Sequence, residues 1–326
     1  MKQVDNLILK QYLGKDSFGD IYLTMKKGLN YRYSTKVIDR NIVDISNLSK
    51  YLKNELVILK QLNHPNITKL EEIKKTKGHY YIVMEYDNGD NLSDCLKKYM
   101  LKYKKPFPPE IVQYLMKQIL DALSYFHSLG IIHRDLRLDN IKVIFDSAND
   151  KVNLNMKRAR IKITGFSRAI QLGKTNVNLN DFTNFTGIVM PVNMDPIILH
   201  KLFQRRDLNL GYDTKVDIWS IGTIFYEILI GKPAFNACNI NDLIYKIDNV
   251  SYSIPINISK EAASFLSGML QYDSKRRLSA QELLNHPFLT KRVIEHNIKI
   301  KFRQNNNIIY IKDDRYIYQY FNSIDK

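Results

Sequence analysis

The periodicity of the apolar residues changes once along this 326-residue chain, and that change restricts the fold more than any other feature. Up to Tyr86 the pattern is mainly that of strands. FGDIYLT and HYYIVMEY are β-branched and aromatic runs bounded by turn formers. One helix interrupts them, with Leu48, Leu52, Leu56 and Leu59 at helical spacing. DNGDN, Asp87 to Asn91, is a turn-rich break, and beyond it the pattern is helical. PFPPEIVQYLMKQILDALSYFHSLG opens on Pro108 and Pro109 at a first turn and closes on Gly130. VDIWSIGTIFYEILIGKPAF is stopped by Gly231 and Pro233, and Ser279 with Glu282 forms a capping-box pattern. An α+β fold with segregated halves is expected: residues 1–86 β-rich with one helix, 87–91 a connection, 92–289 mainly helical. Within the second half, residues 146–160 read as a polar, basic inserted loop. Residues 290–326 form an extension to which the sequence gives no role.

The formal net charge is +16, from 49 Lys and Arg against 33 Asp and Glu. Such a balance suits a nucleic-acid or membrane-surface binder. Here the Lys residues are scattered, and neither zinc-ligand spacing nor a compact Arg-rich arm accompanies them, so nucleic acid is not the expected partner. Cys95 and Cys238 form no CxxC pair, which fits a reducing compartment. The N-terminus lacks the apolar core of a signal peptide. The longest apolar stretch, Ile218 to Ile230, contains Glu227 and is too short to span a bilayer. A cytoplasmic protein without a membrane span is expected.

Three motifs carry chemistry. LGKDSFGDIY places Gly14 and Gly19 in a turn between two strands, where backbone N–H groups can approach phosphates closely. Seventeen residues beyond Gly19, Lys36 stands in a strand, and Glu55 lies on the helix that follows. A strand Lys held by a helix Glu presents a cation to the α- and β-phosphates of a nucleotide. Alone, either residue would be a solvated surface charge. IIHRDLRLDNI is far more specific, with His133, Arg134 and Asp135, then Asn140 five residues after the Asp. Asp135 would take the proton of an attacking hydroxyl, and Asn140 would ligate Mg²⁺.

With YDTKVDIWSIG (Asp217) and RRLSAQELLNHPF (Arg277) following in order, the chain resembles a eukaryotic protein kinase of the Ser/Thr type over about residues 7 to 289. MEYDNGDNL, MDPIIL and the Gly-Phe after Ile161 are most similar to the autophagy-initiation branch. The resemblance implies a bilobal fold with ATP between the lobes. It implies a hinge at Glu85 to Asp87, Met84 at the back of the adenine pocket, and Ile21 and Ser34 at the nucleotide. It gives Arg137 a catalytic role beside Asp135, and His133, Arg134, Asp217 and Arg277 structural roles. It also implies a spine of His133, Leu59, Leu70 and a Phe joining the lobes.

The chain departs from that pattern where an Asp-Phe-Gly would hold metal. After KIT it has Gly165, Phe166 and Ser167. Either Gly165 replaces the Asp and Phe166 is retained, or Asp and Phe are deleted and Gly165 is the motif Gly. The second alignment accounts for more of the residues that follow. Residues 151–180 contain no Asp or Glu that could substitute. Lys142 stands where the resemblance implies an apolar floor under adenine, and a buried, unpaired Lys is costly; its stem could line the pocket while the ammonium reaches solvent or phosphate. Asp16 stands at the middle Gly of the phosphate loop, and Arg137 replaces the usual Lys. Ser34 replaces an Ala, and Val189 and Met190 occupy small-residue positions before Pro191. Ile197 replaces the Glu that would pair with Arg277, leaving that Arg in want of a partner.

Three functions follow as expectations: a pseudokinase that acts through an unidentified protein partner with weak or metal-independent ATP binding, an active kinase on a protein substrate with Asn140 as its sole protein metal ligand, or, on charge alone, a basic nucleic-acid or membrane-surface binding protein. Metal stabilisation of phosphoryl transfer is worth several kcal/mol. Losing about 4 kcal/mol would slow the reaction roughly 10³-fold.

Overall fold

A computed structural model describes residues 2–15, 19–41, 49–173, 191–203, 213–255, 258–291, 300–304 and 307–311. Asp16, Val189 and Met190 lie outside the described residues. The chain divides into two compact units, Met1–Thr290 and Lys291–Lys326.

The first unit begins with a six-stranded antiparallel sheet. Its strands are β1 (Lys2–Val4), β2 (Leu7–Lys15), β3 (Asp20–Lys26), β4 (Arg32–Asp39), β5 (Leu70–Lys75) and β6 (His79–Glu85), in the order β1-β2-β3-β4-β6-β5. Helix α1 (Ser49–Gln61) leaves the sheet between β4 and β5. It buries Leu52 and Leu59, as the leucine spacing predicts, and Leu52 packs on Ile38 and Ile82 of the sheet. Register matters here. β3 sets Ile21 opposite Lys36, and β4 sets Lys36 opposite Ile82 and Ser34 opposite Met84. The side chains that were expected around a nucleotide therefore share neighbouring rungs of one ladder.

The helical half starts with β7 (Asp90–Asn91) and α2 (Leu92–Tyr103), capped by Asn91 accepting from the Asp94 N–H at 2.7 Å. α3 (Pro109–Ser128) follows with Pro109 at its first position. It is the axis of the main core, with Val112, Leu115, Ile119, Leu123 and Phe126 all fully buried. Beyond it come β8 (Ile131–Ile132), β9 (Ile141–Phe145), α4 (Ala148–Asn153), β10 (Ala159–Ile163) and β11 (Ile170–Gln171). β9 pairs with β7 and β10, and β8 with β11. Residues 146–160 are thus not the loop that their polarity suggested. They contain α4, a single 3₁₀ turn at Met156–Arg158, and the start of β10. Leu154 and Met156 anchor them in the core.

α5 (Pro196–Phe203), α6 (Lys215–Ile230), α7 (Ile240–Asp248), α8 (Lys260–Met269), α9 (Ala280–Leu284) and α10 (Pro287–Thr290) complete the unit. α6 is buried along most of its length and ends at Gly231 with φ 84°, a left-handed cap that Gly adopts freely. The Ser279–Glu282 capping box is present at α9. Among the described residues no helix is long and apolar enough to cross a membrane. The second unit contains an antiparallel hairpin of β12 (Ile300–Gln304) and β13 (Asn307–Ile311).

The buried Arg277 is fully partnered, contrary to the expectation raised by Ile197. Its Nη1 pairs with Asp195 at 2.5 Å, and both side chains are buried. Its other donors reach the carbonyls of Gln271, Tyr272 and Lys215, and its guanidinium lies over the Trp219 ring. The carboxylate has moved from the residue after Pro196 to the residue before it. From there Asp195 also accepts from the Ile197 N–H at 2.8 Å, at the entry of α5.

Candidate active site

A cleft of about 490 Å³ opens between the sheet and the helical half. Of the residues expected at a nucleotide site, Gly14, Ile21, Ser34, Lys36, Glu55, Met84, Glu85, Asp87, Asn140, Lys142 and Gly165 all line it. The Lys36 ammonium donates to Glu55 Oε1 at 2.8 Å, and both side chains are largely buried. Helix α1 is therefore docked against the cleft. It is also tied to the helical half: Asn54 Nδ2 donates to the Ala169 carbonyl at 2.6 Å, and Gln61 Nε2 to Gln171 at 3.1 Å. Gly19 is not among the lining residues, but a Cβ there would collide with the Val37 carbonyl, which explains a Gly at that point.

His133, Arg134 and Asp135 are held by a buried carboxylate. Asp217 Oδ2 accepts from the His133 N–H at 2.8 Å and Oδ1 from the Arg134 N–H at 2.9 Å. His127 donates to the same Asp217 at 2.9 Å. Burial lowers the pKa of His133. Its Nδ1 accepts from the Asp135 N–H at 3.2 Å, so its Nε2 carries the proton and donates to the Thr164 carbonyl at 3.0 Å. The backbone turn that presents Asp135 thus has its tautomer and its strained residue fixed together, Arg134 having φ 65°.

Asn140 faces Asp135. Its Nδ2 donates to the Asp135 carbonyl at 2.7 Å and to Asp135 Oδ2 at 3.1 Å. Gly165 follows Thr164 in the left-handed region, φ 86° and ψ 38°. A Cβ at Gly165 would stand 2.9 Å from Asn140 Cγ, so the amide of Asn140 fills the space in front of it. Phe166 is buried, with its ring 4.7 Å from His133 and 5.8 Å from Phe126. Leu59 and Phe166 share the main core, and Leu70 packs against it. Phe166 thus supplies a ring beside His133, as the alignment that retains it would have it.

Two cations differ from expectation. Arg137 is half-exposed and pairs with Asp139 at 3.1 Å rather than with Asp135. Arg168 approaches Asp135 Oδ1 instead, at 3.7 Å, while the Arg134 Nε donates to the Arg168 carbonyl at 2.6 Å. Lys142 is only partly buried. The buried Lys is its cross-strand neighbour Lys162, which pairs with Glu85 and lies 3.8 Å from Asp87. The cost expected of Lys142 is thus met by two carboxylates around Lys162. Neither Arg168 nor Lys162 was identified from sequence. Lys162 carried a signal, being one cation in the otherwise apolar IKI of a strand.

Burial, and then the neighbouring Glu85, push the Asp87 carboxyl up to about 6, against the pull of Lys162 and the Thr68 hydroxyl. A raised folded pKa means that the folded state binds the extra proton. The associated stability is present below about pH 4 and lost as pH rises through about 6. Asp87→Asn, which keeps an acceptor for Thr68, is expected to stabilise the protein at pH 7.5 by about 1–2 kcal/mol, with the gain vanishing near pH 4. Urea midpoints at the two pH values measure it. A constant difference across that range would show that Asp87 does not titrate there.

The ladder register, the Lys36–Glu55 pair and the Asp217-held turn define the site of a phosphotransferase-type cleft, and the chain belongs to the protein kinase family, matching the Protein kinase domain over residues 7–289. It is 33% identical to myosin light chain kinase A of Dictyostelium discoideum, over 89% of this chain and 90% of that protein. It is 31% identical to the serine/threonine-protein kinase atg1 of the same organism, over 89% of this chain and 40% of that protein. It is 30% identical to the human SNF-related serine/threonine-protein kinase, over 86% of this chain and 33% of that protein. The chain thus spans nearly all of the first relative and less than half of the other two. The similarity extends to several branches of Ser/Thr kinases, of which the autophagy-initiation branch is one.

Proposed function

We propose that this chain is a Ser/Thr kinase domain with weakened metal-dependent phosphotransfer, acting mainly through protein partners and binding ATP without a strict need for Mg²⁺. The observation that carries the reading is Gly165 at the metal position, with the Asn140 amide in the space that a carboxylate would use. The residues do not fit a two-ligand Mg²⁺ site. They do fit a nucleotide: Lys36, held by Glu55, faces the cleft, and Ile21 and Met84 offer apolar wall on either side of Ser34. MEYDNGDNL and MDPIIL favour the autophagy-initiation branch as the chain's subfamily. An active kinase is the second reading, favoured by the intact Lys36–Glu55 pair and by Asp135 in its held turn.

Thermal unfolding with ATP in EDTA and in Mg²⁺ tests the proposal. A ligand at a hundred times its Kd stabilises by about 2.7 kcal/mol. A similar upward shift is expected in both buffers. A shift that needs Mg²⁺ would sink the metal-independent reading, and turnover at about 1 s⁻¹ or faster would install the active kinase in its place. If neither buffer gives a shift, Lys142→Leu should restore one; failure there would remove nucleotide binding from the proposal.

A further inference from the structure

α4 is built with more care than its own burial explains. None of its six residues is buried. Yet Ser147 caps it by accepting from the Asp150 N–H at 3.0 Å, Asn155 Nδ2 donates to Asp150 Oδ1 at 2.9 Å, and Leu154 closes it in the left-handed region. Fixing backbone costs conformational entropy, which α4 does not recover through a buried face of its own.

α4 is moored to the C-terminal turn of α2. Lys102 Nζ donates to the Val152 carbonyl at 3.3 Å, and the Tyr103 hydroxyl to the Asn153 carbonyl at 3.0 Å. Lys98 and Lys151 share Asp90, at 2.6 and 3.6 Å. This mooring joins two of the most exposed large apolar side chains of the protein, Leu101 at 71% and Val152 at 73%, on adjoining elements. Single exposed apolar residues need no explanation, but grouped ones on a built surface indicate an interface. The carboxylates of this surface are already matched: Asp90 as above, Asp146 by Arg160, and Asp150 by Arg158. Lys104, Lys105 and Lys157 are exposed and leave the surface positive.

We propose that the end of α2 and the inserted α4 form a docking surface for an acidic segment of a partner protein that carries aliphatic side chains. Charge decides the occupant. The chain's own residues 291–326 have eight Lys and Arg against four Asp and Glu, and a second copy brings +16; both would be repelled. A membrane surface is a poorer fit, because α4 is too short and too weakly apolar for an interfacial helix.

The probe is a fluorescein-labelled twelve-residue peptide of Glu and Asp with two Leu, followed by anisotropy against the full chain. Controls replace its Leu by Ser or its acids by Lys, and phosphatidylserine vesicles form a separate arm. Leu101→Asp, Val152→Asp and Lys104→Glu/Lys105→Glu are each expected to weaken binding at least tenfold while the fold, followed by circular dichroism, is retained, since all four side chains are exposed. No binding of the acidic peptide, equal binding by the variants, or variant-sensitive binding to vesicles alone would each overturn the proposal. No nucleotide is added, so the result stands apart from the reading of the cleft.

Discussion

Asp195→Ala is expected to cost about 3–5 kcal/mol of folding stability, because it leaves the Arg277 guanidinium buried without a carboxylate. Both side chains are essentially fully enclosed, and Asp195 also loses its bond from the Ile197 N–H. Removing both charges should be much cheaper. The paired change Asp195→Leu with Arg277→Met eliminates the orphaned ion and should recover most of the loss. Urea denaturation of the three variants decides this. A single-variant loss under about 1 kcal/mol would mean that the three carbonyl acceptors of Arg277 suffice without Asp195.

The second large effect is catalytic. Gly165→Asp is expected to raise Mg²⁺-dependent phosphotransfer by about tenfold to a hundredfold, a barrier change of roughly 1.4–2.8 kcal/mol. Asp tolerates the left-handed backbone of this position better than most residues. The gain should fall short of the roughly 10³-fold attributed to metal stabilisation, because the Asn140 amide must first give way to the new Cβ. Inserting Asp-Phe between Thr164 and Gly165 should do less. Thr164 is fixed by Asn140 and His133, so two added residues would drive Phe166 out of its stack on His133. Single-turnover transfer to a basic peptide compares the two. A larger gain from the insertion would restore the deletion register.

What was legible in the sequence was what is local. Lys36 and Glu55 announce themselves through a strand and a leucine-spaced helix, and His133, Asp135 and Asn140 lie within one short motif. The Ser279 capping box needs only three residues of reach. What escaped was set by pairing across the fold. Asp195 meets Arg277 82 residues away, and Lys162 meets Glu85 across 77. The Phe166 ring meets His133 from 33 residues away, a contact that the residues after Phe166 do not announce. α4 was hidden because it has no apolar face to give a period; side-chain caps hold it instead.

The segment Asn66 to Thr68 has a mechanical consequence. The Thr68 N–H donates to the Ile163 carbonyl and the Ile163 N–H to the Asn66 carbonyl, with Ile67 bridging Ile163 in parallel. Asn66 also donates from its side chain to the Ile161 carbonyl and to Gln118. A stretch just ahead of β5 is thus riveted to β10, and Lys162 adds an ionic tie at the end of β6. Sliding of the sheet across the helices would shear all of these bonds at once, whereas rotation about the rivet bends them only slightly. The sheet and the helical half are therefore joined beside Ile67 by backbone hydrogen bonds, the Asn66 amide and the Lys162 ion pair acting together.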